Sequence, residues 1–219
     1  MAHRIVLIHA TAVSIEPTRR AFDQRWPEAE TVNVLDDSLS LDVQRAGSQT
    51  PEIVGRIIHL ALYGRDIGAT AILFTCSAFG EAIDHAKAKV DLPIFKPNEA
   101  MFEEAMTAGS HLGLLATFGP SVPALEAEFH ETARRYGKTP ELTSVLVPEA
   151  MELLRSDDVS GHNRLVADAA AQLKQCAAVM LAQFSTSQAV EEVSRAINAR
   201  VLTSPHSAVS KLKTVLQSG

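Results

Sequence analysis

Residues 71–80 read AILFTCSAFG, and residues 178–187 read AVMLAQFSTS. Each opens with a continuous apolar run and then breaks into small and hydroxyl-bearing residues. A short run without polar alternation is how a strand buried on both faces of a parallel sheet reads. Working outward, similar β-rich runs are expected over 4–9, 31–35, 69–75, 92–95, 111–116, 141–147, 177–182 and 200–202. Helical patterns fill the intervals at 17–26, 51–67, 78–90, 98–107, 121–136, 161–175, 187–197 and 206–216. Pro17 and Pro51 stand where a helix start tolerates a missing N–H. Strict alternation of strand and helix predicts an α/β fold built on parallel sheets.

The two opening stretches are also related to each other. Shifting the chain by 107 residues lays Leu7, Ile8 and Ser14 on Leu114, Leu115 and Ser121, and Ile15 and Phe22 on Val122 and Phe129. The same shift lays 71–76 on 178–183, and one further residue lays 95–97 on 203–205. Polar and proline landmarks that keep step over the whole chain point to a duplicated unit. The expected architecture is two similar lobes, each a parallel sheet flanked by helices, related by a pseudo-two-fold axis. Lobe 1 spans 1–96, with the C-terminal helix 206–219 packing back on it, and lobe 2 spans 97–205. Ligands of open α/β sheets bind beyond the carboxyl ends of strands, so the active site is expected in the interlobe cleft.

Composition narrows the function. The chain has 219 residues, 46% hydrophobic and 21% charged, and a net charge of −6. That balance belongs to a globular protein and disfavours nucleic acid or an anionic membrane as partner. The apolar run 5–8 is too short for a signal-peptide core, and no run approaches the roughly 20 apolar residues of a membrane span. A cytoplasmic protein with reduced thiols is expected. Two cysteines, Cys76 and Cys176, are too few for a disulfide framework or a zinc ribbon. Eight scattered histidines form no zinc motif, so no metal is expected. Glu81 and His85, one helical turn apart, read as a solvated pair, and Asp157-Asp158 as a solvated loop. Neither a G-x-G-x-x-G nor a Walker lysine supports nucleotide binding, and no lysine suggests a pyridoxal Schiff base.

Chemistry concentrates where 71–76 and 178–183 end. Cys76 closes the first strand, and the shift assigns Gln183 to the same place in the second. A residue leading directly into a helix meets free N–H groups and the positive end of the dipole. For Cys76 this predicts a lowered pKa and a reactive thiolate; the competing reading is a small buried hydrophobe. For a ligand carboxylate it predicts an anion cradle from Cys76, Ser77 and Ala78 on one side and Phe184, Ser185 and Thr186 on the other. The hydroxyls of Thr75, Ser77, Ser185 and Thr186 add donors. Cys176 precedes its strand instead of ending it and reads as core filler or a surface thiol. Phe79, Phe118 and Phe184 suit either an apolar pocket or plain core packing.

These residues carry a resemblance. The duplicated lobes, the FTCSAFG thiol loop, LGLLATFGPSVPALEAEF at 112–129, VMLAQFSTS and the ending VLTSPHSAV resemble the aspartate/glutamate racemase superfamily over essentially the whole chain. That group includes hydantoin and allantoin racemases, maleate isomerases and arylmalonate decarboxylases. The resemblance implies cofactor-independent proton transfer next to a carboxylate or hydantoin-type carbonyl of a small-molecule substrate. Two thiols work from opposite faces in family racemases. Carried over, Cys76 is the first-lobe acid/base, and Thr117 and Ser121, with Phe118 beside them, face the substrate. His9, at the end of the first strand, is a substrate-binding candidate, with a satisfied loop histidine as the competing reading. Asp36 and Ser38 are weaker candidates at the mouth.

The pattern breaks at Gln183, which stands where the second family cysteine would be and carries no titratable proton near neutral pH. Ser185 and His206 are the remaining second-side candidates. An isomerase of the racemase or epimerase type is the first expectation. A one-thiol decarboxylase of malonate-type acids and a non-catalytic carboxylate-binding protein are the alternatives. The resemblance also suggests a homo-oligomer.

Overall fold

The computed structural model describes residues 3–218. Two compact units emerge, one formed by 1–97 together with 208–219 and the other by 98–207. Unit 1 runs β1 (Arg4–His9), α1 (Ile15–Arg25), β2 (Glu30–Leu35), α2 (Ser38–Ala46), α3 (Pro51–Asp66), β3 (Ala71–Phe74), α4 (Gly80–Lys87) and β4 (Ile94–Phe95). Unit 2 runs α5 (Glu99–Ala105), β5 (His111–Ala116), α6 (Val122–Arg135), β6 (Glu141–Leu146), α7 (Pro148–Arg155), α8 (Val159–Ala170), β7 (Ala178–Leu181), α9 (Val190–Ala196) and β8 (Arg200–Thr203). A last helix, α10 (Ser204–Gln217), begins in unit 2 and passes into unit 1 at Ala208.

Each unit holds one four-stranded parallel sheet. The orders are β2-β1-β3-β4 and β6-β5-β7-β8. Ile5–Ile8 of β1 pair with Ala71–Phe74 of β3, and Leu112–Leu115 of β5 with Ala178–Leu181 of β7. These central strands are buried along nearly their whole length, which is why they read as unbroken apolar runs. The edge strands β2 and β6 alternate between exposed and partly buried residues.

The core of unit 1 packs Val6, Ile8, Ile72 and Phe74 under Ile53, Ile57, Ala82 and Ile83 of α3 and α4. Gly64 lets α3 close on that sheet: a Cβ there would stand 3.1 Å from Ile72 Cδ1 and 3.3 Å from Val6 Cγ1. In unit 2, Leu112, Leu114 and Met180 face Phe102 and Phe129, while Leu115, Val179 and Leu181 face Val166, Ala170 and Val193. Full burial of one such side chain contributes about 1.5–3 kcal/mol, so both sheets are anchored mainly by packing.

Helices α2 and α7 lie in segments to which the sequence pattern assigned neither strand nor helix. Each is short and draws its stability from tertiary packing instead of propensity. Leu39 of α2 and Ala150 and Leu154 of α7 are the buried anchors. Among the described residues, no helix is long and apolar enough to cross a membrane.

Candidate active site

Strand β3 carries the chain past Phe74 to Thr75 and Cys76. Thr75 stays pinned to the sheet, its N–H donating to the Ile8 carbonyl at 3.0 Å. Cys76 remains extended, and the chain then makes one 3-10 turn over Ser77–Phe79 before α4 starts. Buried Phe79 roots the turn, whereas Cys76, Ser77 and Ala78 are partly exposed.

The expected lowering of the Cys76 pKa is overturned. Burial of the sulfur pushes the thiol up, and the Ala78 N–H, hydrogen-bonded to it, pulls back by less. The interposed turn is the reason. The first α-helical residue is Gly80, so the free N–H groups of the helix lie a turn away and a single backbone donor serves the sulfur. At neutral pH the protonated thiol is therefore the dominant form.

Next to this loop lies a buried polar network centred on His9, which is 0% exposed. Its Nδ1 lies 2.8 Å from Thr75 Oγ1 and 3.0 Å from Ser14 Oγ, and its Nε2 lies 2.9 Å from Asn33 Oδ1. The hydrogen-bond pattern assigns the proton to Nε2, facing the amide oxygen, with Nδ1 accepting from a hydroxyl. The Ser14 hydroxyl donates its proton to the Thr11 carbonyl at 2.9 Å, which leaves the Thr75 hydroxyl as the donor to Nδ1. Burial lowers the His9 pKa, opposed by the Asn33 hydrogen bond, so the ring is neutral at physiological pH. Both ring nitrogens are thus engaged by protein groups. Asp36 and Ser38 are engaged as well: Arg56 reaches Asp36 at 2.5 Å, Ser38 at 2.5 Å and Asp42 at 2.6 Å. Burial raises the Asp36 carboxyl, but hydrogen bonds from Ser38 and Arg56 outweigh it and hold the group below the usual range.

In unit 2 the strand end is organised around Gln183. Its Oε1 accepts from the Thr117 N–H at 3.0 Å, the Thr117 hydroxyl at 3.1 Å and the Thr186 hydroxyl at 3.2 Å. Its Nε2 donates to Ser121 Oγ at 2.8 Å and to the Phe118 carbonyl at 3.3 Å. Thr117, Ser121 and Thr186, all expected to face a ligand, are gathered on this one carboxamide. The backbone of Gln183 has φ of 76°, in the left-handed region that a non-glycine residue enters at a cost of about 1 kcal/mol. The five side-chain hydrogen bonds are what hold it there. Phe184 and Ser185 are buried, and Phe118 is 37% exposed. His206 has its Nδ1 2.6 Å from Thr203 Oγ1. Cys176 is buried behind β5, where a Cβ on Gly113 would stand 3.3 Å from its sulfur.

Three residues escaped the sequence reading: Ser14, Asn33 and Gln49. The duplication pointed at Ser14, the counterpart of Ser121. Asn33 left a weak trace as a polar residue within TVNVL. Gln49 had none, since it lies in a loop and reaches residues about thirty positions downstream. Its Nε2 donates to the Ala78 carbonyl at 3.0 Å and its Oε1 accepts from the Ala82 N–H at 3.0 Å. Among the described residues, no three His, Cys, Asp or Glu side chains gather as a metal site.

Residues 8–212 match the family model described as Asp/Glu/Hydantoin racemase. No curated protein matches the chain at a significant level. Among solved structures, glutamate racemase isoform RacE1 from Bacillus anthracis superposes with a TM-score of 0.76 at 12% identity, over 99% of this chain and 82% of that one. Allantoin racemase from Klebsiella pneumoniae gives 0.73 at 14% identity, over 100% and 89% of the respective chains. Picrophilus torridus aspartate racemase gives 0.72 at 14%, over 96% and 94%. At such identities these likenesses speak for the fold.

Proposed function

Because the chain belongs to the Asp/Glu/hydantoin racemase family, we propose that it is a cofactor-independent isomerase that moves a proton at the carbon next to a carboxylate or hydantoin-type carbonyl. Cys76 is the acid/base of this reaction. The reading is carried by the placement of that thiol: on a partly exposed residue beyond the carboxyl end of a central strand, on a rooted turn, with a backbone N–H on its sulfur. The thiolate removes the α-proton and becomes a thiol, leaving an enolate-like carbanion. Return of the proton from the same S–H restores the starting configuration, and delivery of a proton from water to the opposite face, with hydroxide as the leaving base, gives the inverted product. Exchange with solvent between the two steps places deuterium at the α-carbon when the medium is deuterium oxide.

A second reading has a specific observation behind it. Gln183 is committed to five internal hydrogen bonds and has no titratable proton, and burial keeps Cys76 mostly protonated. A single protonated thiol suits the protonation half of the chemistry: delivering its proton to the carbanion left when a malonate-type acid loses carbon dioxide. Small carboxylates are the substrate class in either case, joined by hydantoins under the first reading.

The test is a panel of amino acids, hydantoins and substituted malonates in deuterium oxide, followed by proton NMR. Under the isomerase reading the α-proton signal disappears without carbon dioxide release, and Cys76→Ala lowers the rate at least about a hundredfold. Carbon dioxide release establishes the lyase instead. Ligand-dependent stabilisation with no turnover of any compound refutes both and leaves a binding protein. Full exchange in Cys76→Ala removes the thiol from the mechanism.

A further inference from the structure

We propose that Gln49 is a positioning residue for the Cys76 thiol, its carboxamide clamping the turn after the cysteine so that the Ala78 N–H stays on the sulfur. The functional meaning of this rests on Cys76 being the reacting thiol; the geometry does not.

Residue 78 faces two ways. Its N–H is hydrogen-bonded to the Cys76 sulfur, and its carbonyl accepts from Gln49 Nε2 at 3.0 Å. The two groups belong to neighbouring peptide planes that meet at one Cα, so only the φ and ψ of Ala78 separate the clamped carbonyl from the N–H on the sulfur. The other end of the same carboxamide takes the Ala82 N–H at 3.0 Å. Ala82 is the third residue of α4 and has no intrahelical acceptor for that N–H. Phe79, which precedes the helix, offers no side-chain cap, so Gln49 caps α4 from a distant loop. One planar group thereby holds both the turn and the helix that follows it.

Gln49 is itself held between two closed helix ends. Gly47, at φ of 70°, terminates α2 in the left-handed conformation. Thr50 accepts the Ile53 N–H at the start of α3, where Pro51 opens the first turn. Two positions separate those caps, so the side chain projects from a backbone with little freedom. A carboxamide is suited to the task because it presents a donor and an acceptor on one rigid plane, matching a carbonyl and an N–H four residues apart.

The experiment follows the thiol and needs no substrate. In a Cys176→Ala background, where Cys76 is the sole cysteine, the rate of alkylation by iodoacetamide is measured from pH 6 to 10. Gln49→Met keeps the length of the side chain and removes both hydrogen bonds. Its midpoint is expected about half to one pH unit higher, and its rate at pH 8 about three- to tenfold lower, about half of what complete loss of one hydrogen bond to a charged group gives, since the Ala78 N–H is loosened and not removed. Gln49→Glu keeps the Ala82 arm but sets a charged oxygen against the Ala78 carbonyl, and must move the midpoint the same way. A Gln49→Met protein that titrates like its parent overturns the proposal. Should that variant not fold, the parent decides: the Ala78 amide resonance must follow the thiol titration, and an Ala78 amide indifferent to it overturns the proposal equally. A shifted titration in a protein that turns over no substrate upholds Gln49 and removes only the catalytic reading of Cys76.

Discussion

Unit 1 and unit 2 solve the same problem at their strand ends with hubs on different strands. In both, hydroxyls from the loop after the first strand and the loop after the third need partners. Unit 1 supplies the hub from β1: His9 takes Ser14 and Thr75, and the side chain that ends β3, Cys76, is left to a backbone N–H. In unit 2 the residue matching His9 is Ala116, which offers nothing. The hub then comes from the end of β7, where Gln183 takes Thr117, Ser121 and Thr186. The difference teaches that a strand-end residue is released for chemistry only when a neighbour satisfies the surrounding hydroxyls.

The largest effect should come from removing the unit 2 hub. Gln183→Ala strands the Thr117 N–H, leaves the Thr117 and Thr186 hydroxyls only each other and takes the carboxamide from Ser121, in surroundings that are largely buried; it is expected to cost about 3 kcal/mol in urea unfolding. Gln183→Gly removes the same hydrogen bonds but relieves the positive φ, and should recover about 1 kcal/mol of that loss. Equal stabilities for the two variants would show that the backbone is not held against strain, and the hub picture of unit 2 fails.

A smaller effect should appear in the pH–rate profile of the unit 1 thiol. Because burial raises the Cys76 pKa, thiolate-driven α-proton exchange should climb about tenfold per pH unit through neutrality and level off only above the range of an ordinary cysteine. A plateau already reached at pH 7 would mean the thiolate is stabilised by groups other than the Ala78 N–H. Decarboxylation driven by the protonated thiol would instead stay flat through neutrality and fall at alkaline pH.

The smallest effect concerns acid stability. Burial lowers the pKa of His9 in unit 1 and of His162 in unit 2, so each is buried neutral. Between the lowered folded value and about 6.5, the unfolded chain binds protons that the folded one refuses. The contribution of both rings is therefore complete above about pH 6.5 and is lost as the pH falls toward their folded values. His9→Gln, which keeps a planar hub without a titrating ring, should flatten part of that loss when unfolding is followed from pH 8 to 5. An unchanged slope would assign the acid sensitivity to unit 2 alone.

Much of the fold was legible in advance because it rests on local signals. Buried strands announce themselves as apolar runs, and a shift of 107 residues already paired β1 with β5 and β3 with β7, elements whose burial patterns then match residue for residue. Helices α2 and α7 were not legible, since eight or nine residues carry too little periodicity to outweigh their turn-like flanks. The candidate site divided along the same line. Cys76 and Gln183 were found by their position on a strand, which is a one-dimensional fact. The state of the Cys76 thiol was misjudged because a helix start at Gly80 and a start at Ala78 look alike in sequence, whereas a single 3-10 turn between them moves the dipole out of reach.

The sequence by itself determined the parallel α/β plan, the duplication, the family and the unlike residues at two like strand ends. Tertiary structure decided what those residues can do. The partners of Gln183, His9 and Gln49 lie up to 66 residues away along the chain, and the desolvation that sets the Cys76 thiol is a sum over everything packed around it. Periodicity and propensity act between neighbours in the chain. Hydrogen-bond satisfaction and burial act between neighbours in space, and only the folded protein says which those are.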